Sequence, residues 1–233
     1  MSTYAIILAG GSGSRMHSQI PKQYMILNEK PVLFYSLDAF EQSKVDKIIL
    51  VAGEHDREMC QTDIVDRFGF HKVTTIVSGG KERFNSVQNG LATIMDNEGI
   101  VLIHDGARPC ITTDIINKCI EDAKTYSACV TAVPVKDTIK IADQEGYAIT
   151  TPDRNTLWQI QTPQAFSIPI IKGAYVKMNQ DSQRGNITDD AMVVEKYSEC
   201  RVKMSMGGYT NIKITTPEDI SIASVLLAKA KKA

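Results

Sequence analysis

Apolar residues follow two alternating rhythms along the chain. The short runs Tyr4–Leu8, Lys47–Ala52, Val73–Val77, Ile100–Ile103 and Ala128–Val133 have the length and β-branched content of strands buried on both faces. Between them apolar positions recur at helical spacing: 33, 34, 37 and 40 within 32–40, then 84, 87, 91, 94 and 95 within 84–95, with the same rule over 115–123. Strand and helix in alternation predict crossover units, and so an α/β fold with a mostly parallel sheet flanked by helices.

The rhythm breaks after Pro134. Asp137–Ile141 alternates, Asp143-Gln144-Glu145-Gly146 supplies a turn, and Tyr147–Thr151 reads as a second short strand. This predicts a β-hairpin arm at about 136–155, inserted into the α/β pattern. A lone hairpin is marginal in water, so it either lies along the edge of its own subunit or leans on a second one. Pattern leaves both open. Farther on, Thr216 is placed to cap a last helix, with Pro217 in its first turn, followed by Glu218 and Asp219 at the positive end of the dipole. Apolar residues at 220, 222, 223, 226 and 227 give that helix a face to bury. No repeat or low-complexity linker interrupts the chain, which reads as one domain over 1–233.

Composition narrows the function. The 233 residues are 43% hydrophobic and 23% charged, ordinary globular values that exclude global disorder. Lys plus Arg number 26 against 27 for Asp plus Glu, and this net charge of −1 argues against nonspecific binding to nucleic acid or a membrane surface. Any anionic ligand must be met by local positive charge. No run approaches the roughly 20 apolar residues of a membrane span. The start of the chain has no basic region before its apolar run, so no signal peptide is expected. Five cysteines without a C-x-x-C pair, and four scattered histidines, fit reduced cytoplasmic thiols better than disulfides or a zinc site.

The first strand runs into Leu8-Ala9-Gly10-Gly11-Ser12-Gly13-Ser14-Arg15-Met16. Glycines directly after a strand let backbone N–H groups approach a phosphate. The dinucleotide fingerprint from Gly11 fails because position 16 is Met16, and neither Gly10 nor Gly11 is followed by the Gly-Lys-Ser/Thr of a P-loop. What remains is a glycine loop with two cations, Arg15 and Lys22, suited to a polyphosphate. The alternative is a tight strand–loop connection with surface cations.

That loop with Pro21-Lys22-Gln23-Tyr24 resembles the signature of nucleotidyltransferases that join a nucleoside triphosphate to a sugar phosphate. The segments 103–110 (IHDGARPC), 134–140 (PVKDTIK), 153–158 (DRNTLW), 161–166 (QTPQAF), 188–191 (TDDA) and 211–215 (NIKIT) narrow the resemblance to the 2-C-methyl-D-erythritol 4-phosphate cytidylyltransferase family, from about residue 4 to about 225. Two departures stand out: Ala9-Gly10-Gly11 where the family more often has two alanines and one glycine, and Gly106 where alanine is usual. Ribitol-5-phosphate cytidylyltransferase is similar in fold, loop and chemistry. A nucleotide-binding module without turnover is a third reading, against which the presence of Arg15, Lys22, Asp105 and Lys213 speaks.

The resemblance implies a Rossmann-like sheet and transfer of a cytidylyl group from CTP to a polyol phosphate. Such a reaction needs positioning and charge stabilisation, and no side-chain nucleophile. Arg15 and Lys22 are then the transition-state cations, and Lys213 reaches the α-phosphate. Leu8, Ala9, Gly10, Gly11 and Gly13 cradle the nucleotide, Gly80 and Ser86 read the base, and Asp105 and Ala107 complete the nucleotide site. Asp105 just past the fourth strand can hold Mg²⁺ against the phosphates, or else cap a loop beside Arg108. Asp105, Arg108, Thr138, Arg154, Thr162 and Thr188 are the implied polyol-phosphate contacts. In the family the arm crosses to the partner of a homodimer, carrying Thr138 and Arg154 with it. His104 is read as a structural histidine, because an ionised phosphate needs no general base, and Trp158 as a core residue.

Overall fold

The computed structural model describes residues 1–11, 16, 18 and 20–230. Gly13 and Arg15 therefore lie outside the described residues. In chain order the elements begin with β1 (Thr3–Ala9), a 3-10 turn at Lys22–Tyr24, and the short pair β2 (Ile26–Leu27) and β3 (Lys30–Pro31). Next come α1 (Val32–Glu41), β4 (Lys47–Ala52), α2 (Arg57–Met59) continuing into a π-helical stretch over Cys60–Asp66, β5 (Val73–Ser78) and α3 (Arg83–Ala92). The middle of the chain forms β6 (Ile100–Asp105), α4 (Thr113–Tyr126), β7 (Ala128–Pro134), β8 (Ile141–Ala142), β9 (Ala148–Thr150) and β10 (Trp158–Ser167). It closes with α5 (Ile168–Gln180), α6 (Asp190–Tyr197), β11 (Lys203–Met206) and α7 (Glu218–Ala230).

Seven strands form one sheet in the order β11-β7-β10-β6-β1-β4-β5. Only β10 runs against its neighbours β6 and β7, and the other pairings are parallel. The α/β prediction is correct, and all five predicted strands are present. Period-two alternation explains the layering. From β1, Ala5, Ile7 and Ala9 join the core under α1 and α4, whereas Tyr4 and Ile6 join the core under α3, α5 and α6. A strand buried on both faces has to be apolar, as β1 is from Ala5 to Ala9.

The arm is present but shorter in strand than its pattern predicts, because only β8 and β9 pair. Asp143 Oδ1 accepts the N–H groups of Glu145 and Tyr147, and Gly146 at φ +90° closes the turn. Ile139, Ile141, Tyr147 and Ile149 are all exposed on it. At α7 the capping differs from expectation. The Asp219 carboxylate turns back to accept from the Thr215 and Thr216 N–H groups ahead of the helix, the part an acid plays in a capping box. Ala223 of α7 is buried and Ile220, Leu226 and Leu227 pack beside it, but Ile222 is exposed. Trp158, expected in the core, is only half-buried at the start of β10. Among the described residues no helix is long and apolar enough to cross a membrane.

Candidate active site

The parallel strands deliver their C-terminal ends to one edge, where open α/β sheets bind ligands. A cavity of about 440 Å³ opens there, floored by Leu8, Gly10 and Gly11 at the end of β1 and by Asp105 and Ala107 at the end of β6. Gly80 and Ser86 form the wall at the start of α3, and Lys22 and Lys213 complete it. The structure thus brings together most residues expected to bind nucleotide. Ala9 lies just beneath, its carbonyl accepting from Gln23 Nε2.

Backbone pairing fixes the edge. Gly106 N donates to Leu8 O at 2.9 Å, Gly79 N to Ala52 O at 2.8 Å, and Ile214 N to Ala107 O at 2.8 Å. The last of these stitches the extended segment carrying Lys213 onto the end of β6. Gly106 has to be small: a Cβ there would lie 3.0 Å from Leu8 O and 2.8 Å from Leu33 Cδ1. The wall at the start of α3 is equally tight, since Gly80 N donates to Ser86 Oγ at 3.0 Å and Asn85 Oδ1 accepts the Glu82 N–H at the helix start.

Asp105 is the charge centre. Lys213 Nζ lies 2.8 Å from its Oδ2, Arg83 Nε 3.5 Å from Oδ1, and Arg108 Nε 3.7 Å from Oδ2. Burial alone would raise its pKa, but Arg83, Lys213 and Arg108 overcome that and hold it well below the usual carboxylate range. Burial pulls the Arg108 pKa down, with Asp105 partly offsetting it. Thr162 stands directly behind Asp105 rather than facing the cavity. It is buried, and its Oγ1 accepts the Asp105 N–H at 3.1 Å and lies 3.0 Å from His104 Nδ1. Thr162, expected as a polyol-phosphate contact, is placed here as a support for Asp105.

The other expected contacts are dispersed. Arg108, with Nη1 donating to Asn211 O at 2.8 Å, lines a second polar cavity of about 270 Å³ with Lys213 and Gln161. Thr138 and Arg154 lie exposed on and beside the arm, Arg154 Nη1 donating to Lys136 O, and neither lines the main cavity of this chain. Thr188 is exposed before α6. Two residues that the sequence did not single out belong to the site. Arg83 lines the cavity and reaches Asp105. Gln23, buried beside Lys22, donates to the carbonyls of Ala9 and Gly11 and so ties the glycine loop to the Lys22 segment.

Among the described residues no group of three His, Cys, Asp or Glu side chains converges on a metal position. Asp105 is a single carboxylate, and its short contact is to Lys213. Mg²⁺ is commonly held by one or two carboxylates together with substrate phosphates. Asp105 fits that shared mode and no all-protein cage.

Comparison with known proteins agrees with this chemistry. The chain is 57% identical over 224 residues to 2-C-methyl-D-erythritol 4-phosphate cytidylyltransferase of Lachnospira eligens, covering 96% of this chain and 98% of that protein. It is 48% identical over 223 residues to the same-named protein of Lachnoclostridium phytofermentans, covering 96% of this chain and 95% of that protein. The crystal structure of 4-diphosphocytidyl-2C-methyl-D-erythritol synthase from Anaerococcus prevotii superposes with a TM-score of 0.84 at 34% identity, covering 97% of this chain and 98% of that one. A family model described as IspD, 2-C-methyl-D-erythritol 4-phosphate cytidylyltransferase, matches residues 3–229. That span takes in every segment lining the cavity, and the chain belongs to the 2-C-methyl-D-erythritol 4-phosphate cytidylyltransferase family.

Proposed function

We infer that this chain transfers the cytidylyl group of CTP to 2-C-methyl-D-erythritol 4-phosphate, forming 4-diphosphocytidyl-2-C-methyl-D-erythritol and pyrophosphate in the non-mevalonate isoprenoid pathway. The observation that carries this reading is the cavity itself: a glycine loop facing Lys22 and Lys213, with Asp105 held ionised between cations. An oxygen of the acceptor phosphate attacks the α-phosphorus, the bond to the bridging oxygen breaks, and pyrophosphate leaves. Lys22 and Lys213 bear on the charge that spreads over the equatorial oxygens, and Arg15 is proposed to join them. The Gly80–Ser86 wall orients the base, and Arg108 and Lys213 receive the acceptor from the adjoining polar cavity. Mg²⁺, when bound, supplies further neutralisation of the triphosphate, and Asp105 is the residue that would share it with the phosphates.

The arm belongs to a homodimer in this reading. Its apolar side chains are exposed, and Thr138 and Arg154 stand outside the cavity of their own chain. They are placed to serve a partner's site, as Thr188 is to complete the acceptor contacts. The reduced thiols suit a cytoplasmic enzyme.

Pyrophosphate release from CTP decides the matter, with 2-C-methyl-D-erythritol 4-phosphate and ribitol 5-phosphate compared as acceptors. Turnover is expected with the first, and its absence there would overturn the reading. Lys22→Ala is expected to lower kcat by about 10²–10³, the cost of losing one transition-state charge donor, with circular dichroism confirming the fold.

A further inference from the structure

Asp190 is fully buried at the start of α6, beyond the wall of the active-site cavity. A carboxylate there is costly unless it is paired. Tyr175 of α5 donates its hydroxyl to Asp190 Oδ1 at 2.7 Å, and Arg83 Nη2 lies 2.8 Å from Oδ2. The backbone at this point is pinned as well. Gln164 of β10 accepts from the Asp190 and Ala191 N–H groups at 3.1 and 2.9 Å, and donates to Asp189 Oδ2 at 2.9 Å. The anchor thus joins α3, α5, α6 and β10.

The other end of Arg83 emerges in the cavity, where its Nε lies 3.5 Å from Asp105 Oδ1. One guanidinium therefore spans two carboxylates, which the single charged nitrogen of a lysine cannot do. Its place matters because the cations around Asp105 are not equivalent. Lys213 makes the short contact and also faces the cavity, where a bound phosphate would compete with Asp105 for it. Arg108 is fixed to Asn211 O, on the segment that carries Lys213. Among the described residues, Arg83 alone of the three is held by a second, fully buried carboxylate.

We propose that Arg83 is a positioning residue for cytidylyl transfer, anchored by Asp190 and Tyr175 so that Asp105 keeps its orientation when Lys213 moves from it to the phosphates. This rests on the transfer reaction inferred above. The buried pair then serves geometry rather than stability, a use compatible with how little such pairs add to stability in general.

Two variants test it. Arg83→Lys keeps a cation for Asp190 but cannot reach both carboxylates. Asp190→Asn keeps the shape of the anchor and removes its charge, at a position too deep to touch substrate, and it carries the test if Arg83→Lys does not fold. Thermal unfolding, kcat with CTP and 2-C-methyl-D-erythritol 4-phosphate, and the calorimetric Kd for CTP are measured on each. The expected result in the folded variants is a fall in kcat of about tenfold or more, the scale of a displaced positioning group, with Kd for CTP changed less than about threefold. Carboxyl-13C NMR of Asp105 with CTP bound gives a readout independent of the acceptor, and its resonance should move in both variants. A wild type that releases no pyrophosphate would sink the inferred reaction while leaving this NMR comparison to judge the anchor. Wild-type kcat, or an unmoved Asp105 resonance, in a folded variant would overturn the proposal, because a mere buried counter-ion predicts both.

Discussion

At the residue scale, the support behind Asp105 fixes a protonation state. Thr162 Oγ1 accepts the Asp105 N–H and shares a 3.0 Å hydrogen bond with His104 Nδ1. The His104 ring packs beside Phe40 at a centroid distance of 5.0 Å. Burial pushes the His104 pKa down from 6.5 to about 3. Above pH 6.5 both folded and unfolded chains hold it neutral, and its contribution to stability is fully present. As pH falls toward 3 the unfolded chain gains a proton that the folded one refuses, and stability is lost by about 1.4 kcal/mol per pH unit. Urea unfolding between pH 6 and pH 4 should therefore show a slope smaller by one proton in His104→Gln than in wild type. Equal slopes would mean that this histidine is protonated in the fold. The structural reading of His104 was open to sequence because the chemistry needs no base. Arg83 and Gln23 were not, since a charged or amide side chain that turns into a cavity has the same sequence signature as one facing water. Lys22 and Lys213 would have been equally mute without the segments around them.

At the element scale, α3 presses Gly90 against β1. A Cβ on Gly90 would meet Ile6 Cγ2 at 2.9 Å and Cδ1 at 3.1 Å, and Ile6 is fully buried in the sheet. Alanine favours a helix interior by about 1 kcal/mol over glycine, whereas overpacking a core costs about 1–3 kcal/mol. Packing should win. Gly90→Ala is expected to lower Tm by several degrees in a chain of this size, at about 2–4 °C per kcal/mol, and a raised Tm would show that helix and sheet can separate freely. Such close approach explains why a helix with a mid-helix glycine was still legible: its apolar positions at 84, 87 and 91 are all buried. The longest strand that escaped reading is β10. Its buried residues include Gln161, Thr162 and Gln164, which bond to Gly208, to Asp105 and His104, and to the start of α6. A strand that buries polar groups for the sake of a site loses the continuous apolar run by which a strand buried on both faces is recognised. β1 and β4 kept theirs.

At the scale of the whole molecule, the proposed sharing of a site between two chains through the arm can be measured. Lys22→Ala spoils the cavity and Arg154→Ala the arm. Equal mixing with random exchange makes half the dimers mixed, each with one intact site of two. Activity should return to roughly a quarter of wild type. No recovery after verified subunit exchange would show that the arm serves its own chain. The cavity also draws on the full length of the chain, from Gly10 near one end to Lys213 near the other. Ile214 is buried against Met16, Leu27 and Val32, with Ala223 of α7 beside it, and Ser224 Oγ donates to Asn28 Oδ1 at 2.6 Å. During synthesis, then, the glycine loop and Asp105 exist long before Lys213 has left the ribosome. A nascent chain carries Asp105 without its nearest counter-ion, so a stretch translated about a hundred residues later is the one that arms the enzyme.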